Sequence, residues 1–198
     1  MIAGHINHLK GAAMGNIRTL LTCAVAVAGA VVGAQQPTAQ PPTSLVEEVR
    51  RYYTTVQGFI VKAAEQFPED KLTWQPTPAV RSWARLVAHV VDDNNGACYA
   101  LAGEASRPAR LDTEDTPNSA ANKMTKADLQ KALTESVARC EKAFAAVNES
   151  NMMERQGNRS KIGALIYNTS HTNEHYGNMV TYIRLNGLVP PSSQRGGM

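Results

Sequence analysis

Cysteine, aromatic residues and surplus charge are all scarce in this chain of 198 residues: three Cys, three Phe, two Trp and a formal net charge of +3. Three cysteines do not make a disulfide-dense scaffold, so the fold has to rest on an apolar core. With 6% aromatic residues and no Lys/Arg cluster, stacking platforms and phosphate-tracking patches are missing, and nucleic acid is not an expected partner. Strand-period alternation and internal repeats are missing as well. What remains, 43% apolar and 19% charged, is the composition of one globular domain.

The chain's most apolar stretch lies near its start. Met14-Gly-Asn-Ile-Arg18 leads into the uncharged residues 19–32, and Val32-Gly33-Ala34 follows. A positive n-region, an apolar h-region and small residues at the exit make a cleaved signal peptide over residues 1–34. The uncharged run, about 14 residues, falls short of the roughly 20 that span a bilayer, so no stable membrane insertion is expected after cleavage. Cys23 in Leu-Leu-Thr-Cys only loosely resembles a lipid-attachment site. The expected destination is periplasmic or extracellular. Cleavage would remove Lys10 and Arg18 but no acid, leaving a charge of +1, two cysteines (Cys98, Cys140) and three histidines (His89, His171, His175). Export permits a Cys98–Cys140 disulfide. Buried free thiols are the equal alternative, since each cysteine sits in an apolar helical pattern.

From there the period is helical. Residues 35–43, rich in Pro, Gln and Thr, read as a linker. Ser44-Leu-Val-Glu47 fits a capping box, and Leu45, Val49, Tyr52, Val56, Phe59, Ile60, Ala63 and Phe67 form one apolar stripe before Pro68. A second helix is expected over residues 82–103, with Trp83, Leu86, Val87, Val90, Ala97 and Leu101 inward. The polar residues 104–124 form a connection long enough to be mobile or a lid. Thr125 caps a third helix carrying Leu129, Leu133, Val137, Cys140, Phe144 and Val147. Ser160 opens a fourth, which stops at Gly187 before Pro190 and Pro191. Four helices without strands make an all-α four-helix bundle over residues 44–191, with 192–198 a flexible tail. The long second connection leaves room for a crossover.

Chemistry concentrates in the histidines. His171 and His175, at i and i+4, lie one turn apart on one face, where both can approach one ion. His89, midway along the second helix, supplies the third imidazole if that helix faces the fourth. Neutral imidazoles suit a divalent metal, zinc first, with nickel or iron as alternatives, and three nitrogens leave a position open. The ordinary alternative is a chance pair and a hydrogen-bonded core histidine. Tyr167, Asn178 and Tyr182 extend the histidine stripe and are candidate pocket residues, while Asp93 is a candidate carboxylate behind the ligands or an ion-pair partner for a basic residue, and Glu174 a carboxylate behind the ligands or a solvated charge. His-x-x-Glu-His is also the inverted zinc-peptidase motif, but no acidic residue follows His175 to complete it.

Lys71-Leu-Thr-Trp-Gln-Pro76, Ser82, Leu86-Val-Ala-His89, His171-Thr-Asn-Glu-His175-Tyr-Gly-Asn178 and Tyr182-Ile-Arg-Leu-Asn-Gly187-Leu-Val-Pro-Pro191 together resemble the DinB-like superfamily. The resemblance implies a four-helix bundle, often a homodimer, in which His89, His171 and His175 bind a divalent metal. It also implies metal-dependent transferase or isomerase chemistry on small thiols. Export argues against cytoplasmic thiols as co-substrates and leaves a metal-dependent hydrolase or transferase acting on a small molecule as the expectation. A non-catalytic metal-binding or structural stress module is the alternative.

Overall fold

Local capping decides where the helices of the computed structural model begin. Ser44, Ser82, Thr125 and Ser160 each accept, through the side-chain hydroxyl, an amide three residues on, and the helices α1 (Leu45–Gln66), α2 (Trp83–Cys98), α3 (Lys126–Ala145) and α4 (Lys161–Leu185) follow them. The structure describes residues 44–113 and 118–194, which fall within one compact unit. The expected signal peptide at 1–34 and the expected linker at 35–43 lie outside the described residues. Among the described residues no helix is long and apolar enough to cross a membrane.

Side chains shared between helices fix their directions. Cys98 near the end of α2 joins Cys140 near the end of α3, whereas Arg50 at the start of α1 pairs with Glu141 of α3. Asn94 meets Asn168, and Tyr182 donates to the Arg81 carbonyl, so α4 runs against α2. The order is therefore up-down-down-up, and the connection from α2 to α3 is the crossover its length allowed.

The core divides into two apolar halves. One holds Ile60, Phe67, Trp83, Leu133 and Met179, with Phe67 stacked on Trp83 at 3.8 Å between ring centroids. The other holds Tyr53, Phe144, Ile162 and Leu165 around the cysteines. Between them each helix contributes one buried polar residue: Gln57, Asn94, Ser136 and Asn168, with Asn94 bonded to the other three. Such a layer satisfies itself only in one register of all four helices. It fixes which turn of α2 faces which turn of α4.

Several boundaries differ from the expectations. Regular helix in α2 ends at Cys98, and the chain turns through residues 99–103, closing with Gly103 at φ +79° and Glu104 N–H donating to the Tyr99 carbonyl. Residues 155–160 form a hairpin, β1 (Arg155–Gln156) paired with β2 (Arg159–Ser160), with Gly157 at φ +62° in its turn; two residues per strand show no period to read. The described part of the 104–124 connection packs on α2: the Leu111 and Asp112 amides donate to the Asp92 carboxylate at 2.9 Å. At residue 192, where a flexible tail was expected to begin, the chain is held. Pro191–Ser193 form a 3-10 turn in which the Ser192 amide donates to the Tyr176 hydroxyl, and that hydroxyl donates to Ser192 Oγ. Of the two alternatives for the cysteines, the structure has the disulfide, with the Cα atoms 5.0 Å apart.

Candidate metal centre

The antiparallel crossing of α2 and α4 brings His89, His171 and His175 together with Asp93. One nitrogen or carboxylate oxygen from each lies within 4.8 Å of the others. His175 Nε2 is 3.1 Å from His171 Nε2 and 3.4 Å from Asp93 Oδ2. Asp93 Oδ2 is also 3.6 Å from His89 Nε2 and 3.5 Å from His171 Nδ1. Ligands about 2.0–2.1 Å from a tetrahedral zinc ion stand roughly 3.4 Å apart, close to the spacings of Asp93 Oδ2 from His89 and His175, while His171 can offer the ion only one of its two nitrogens.

The donor set also explains an orphaned atom. Asp93 Oδ2 is buried, is faced by a nitrogen of all three histidines, and makes no hydrogen bond. A buried carboxylate oxygen without a partner is costly, and a cation among these four groups would satisfy it. Asp93, expected either behind the ligands or paired with a basic residue, stands among the nitrogens themselves.

Behind His89 lies a group that no sequence signal singled out. Asp112 Oδ2 is 3.5 Å from His89 Nδ1, a buried nitrogen with no hydrogen bond of its own. The same carboxylate accepts from Arg81 Nε and Arg85 Nε, each at 2.9 Å. Burial pushes the Asp112 carboxyl up, but the hydrogen bonds and charges of Arg81 and Arg85 outweigh it and hold the group below its ordinary value. Burial lowers the His89 imidazole, Asp93 opposes that, and the net direction is down, which keeps a neutral ring available for ligation. An imidazole that ligates through Nε2 carries its proton on Nδ1, and Asp112 is the carboxylate placed to receive it.

Replacing Asp112 by Asn should therefore weaken metal binding about 10- to 100-fold, as loss of a carboxylate behind a ligating histidine does, and cost roughly 1–3 kcal/mol of stability through its arginines. Since the folded-state value is depressed, the stability Asp112 contributes is present above the ordinary carboxylate range and lost as pH falls through the depressed value. The variant should accordingly lose less stability than the parent on acidification, measured by urea titrations across that range.

The remaining candidates separate. Tyr167 lies beside His171, ring centroids 5.5 Å apart, and lines a cavity of about 380 Å³ that reaches Asp93 and His171. Asn178 and Tyr182 face a different cavity with Arg81 and Arg85, and Tyr182 packs edge-on against Trp74. Glu174 is exposed and outside the cluster. Successive positions of a helix point about 100° apart, so neighbours of the histidines in sequence need not be neighbours in space.

Fold and site together define a helical bundle with a three-histidine, one-carboxylate cluster between two antiparallel helices. Residues 52–179 match the family model of the DinB superfamily, and the chain belongs to that superfamily, whose members are metal-binding in general. No curated protein matches the chain significantly.

Proposed function

We propose that this is an exported metalloenzyme whose His89, His171, His175 and Asp93 hold a divalent cation, zinc first, and which carries out hydrolysis or group transfer on a small molecule. The observation that carries this reading is that two of the four converging donors open onto a cavity instead of all being sealed in the core. Asp93 and His171 line it, and His171, with 27% of its side chain exposed, is the most open of the four. Bound there, a divalent cation supplies Lewis acidity, lowering the pKa of a ligated water or thiol toward neutrality.

The chain's own residues do the rest. His89 is oriented by Asp112 and its two arginines, while His175 is packed against it with ring centroids 4.7 Å apart. Asp93 reaches the same point from the cavity wall, with Oδ2 facing all three imidazoles. Asp92 also lines the cavity, but its oxygens already accept the Leu111 and Asp112 amides. The buried disulfide agrees with an oxidising compartment, as the signal-like residues 1–34 do.

The test is elemental analysis of protein purified from its native compartment, followed by assay of the metal-loaded form on simple esters, amides and small thiol acceptors. Near-stoichiometric metal with turnover lost on chelation is expected. Metal without turnover on any of them would leave a bound ion that serves stability alone.

A further inference from the structure

We propose that the cavity beside the metal cluster takes a small molecule bearing an anionic group, carboxylate or phosphate, which Arg107 and Arg159 clamp while its other end reaches the metal. The inference deepens the metalloenzyme reading and rests on it for the reacting end only.

The two arginines enter the cavity from different elements. Arg107 comes from the crossover connection, donates from Nη2 to the Asp92 carbonyl at 2.7 Å, and lies flat against Gly96 of α2. A Cβ at Gly96 would stand 3.0 Å from the guanidinium carbon, so the bare glycine is what seats the group there. The other two nitrogens of Arg107 make no bond among the described residues. Arg159 comes from β2, with its guanidinium carbon 4.0 Å above the centre of the Tyr167 ring. Tyr167 in turn rests on His171, so the guanidinium is no farther from that imidazole than two ring-stacking steps.

Charge settles what such a cavity accepts. Arg50, Arg51, Arg81, Arg85, Arg110 and Arg139 each have a carboxylate within 4.0 Å. Arg107 and Arg159 have none among the described residues, nor do Arg155 and Arg184, and of these four only Arg107 and Arg159 line the cavity. Asp92 and Asp93 also line the cavity, but their ion-pair contacts run to Arg110 and to the imidazoles and to neither of these guanidinium groups. Arg107, held by a carbonyl, and Arg159, held by a ring face and by Asn158 Oδ1 at 3.3 Å, keep donors to spare on one cavity wall for an oxyanion. His171 lines the same cavity, so a short chain can carry an acid at one end and a metal-seeking group at the other.

Two titrations test this. In the first, succinate is added to the chelator-treated full-length protein and followed by the side-chain Nε–H signals of Arg107 and Arg159 in nitrogen-15 NMR. Saturable shifts are expected, with affinity falling about tenfold or more in Arg107→Gln/Arg159→Gln and unchanged in Arg51→Gln, which removes a surface charge elsewhere. Absence of saturable shifts overturns the proposal whether or not the protein holds metal. In the second, the zinc-loaded protein is titrated with succinic acid monohydroxamate and with neutral butyrohydroxamate. The acid-tailed probe should bind about tenfold or more tightly, and the double variant should abolish that preference while zinc content stays the same. Equal binding of both probes to the parent overturns the clamp and leaves the metal centre standing. Failure to load zinc overturns the metal centre and leaves the succinate titration to decide on the clamp. Arginines that merely braced the hairpin would change melting temperature without separating the two probes.

Discussion

Replacing His175 by Ala should weaken zinc binding roughly 10²- to 10³-fold. Four-ligand zinc sites bind with about 10–16 kcal/mol in total, so one ligand carries about 3–4 kcal/mol, and each 1.4 kcal/mol is a factor of ten. His175 Nε2 is within 3.1–3.4 Å of a donor atom on both His171 and Asp93, and its ring packs on His89, so its loss opens the coordination polyhedron at a shared corner. Calorimetric titration against a competing chelator reads the affinity directly.

Thermal melts read the same change independently. A ligand bound only by the folded state adds about 4 kcal/mol at a thousand times its dissociation constant, and at the same zinc concentration that increment should fall to about 0.4–1.4 kcal/mol in the variant. Glu174→Gln is the matching control: the neighbouring side chain is exposed and outside the cluster, so affinity should stay within about twofold of the parent. Full occupancy and unchanged affinity in His175→Ala would end the case for this centre.

What was legible in the sequence was what is local. Four capping hydroxyls, the apolar stripe of α3, the Gly187 stop and the i,i+4 histidine pair all express one helix's own geometry, whereas the stripe read for α1 is one residue off in its first turns, where Val46 and Tyr53 are buried and Leu45 and Tyr52 exposed. In the Gly187 stop, at φ +74°, the Leu188 amide closes on the Ile183 carbonyl. His89 was legible for a coarser reason, since only three histidines remain after residue 34. The unseen features depend on how helices meet. Asp112 comes from a segment without period and reaches His89 only because the crossover folds back along α2. Arg107 and Arg159 share a cavity only through that same return and the short hairpin. The layer of Gln57, Asn94, Ser136 and Asn168 looks in sequence like four unrelated interruptions of apolar stripes. It becomes one feature only when α2 and α3 run parallel, and parallel order cannot be read from either helix alone.

That parallel order also gives the disulfide a large share of the stability. Cys98 and Cys140 close a loop with a sequence separation of 42, for which chain entropy alone is worth about 4 kcal/mol against reduction, from a total that is about 5–15 kcal/mol for domains in general. Both residues are fully buried in the half of the core that also holds Tyr53 and Phe144, so Cys98→Ala/Cys140→Ala removes the cross-link and leaves a small void, both unfavourable. Urea unfolding of the chelated protein should show a loss of about 4 kcal/mol or more. The bridge ties α2 to α3, whereas the metal donors sit on α2 and α4, so zinc affinity of the folded variant should change by less than about threefold. Combining the cysteine variant with His175→Ala should then give stability losses that add, since the two sites share no partner. A loss under about 1 kcal/mol would mean that the reduced unfolded chain already holds α2 beside α3. A collapse of zinc binding alongside the stability would instead show that α2 cannot keep His89 and Asp93 against α4 unless its far end is anchored to α3.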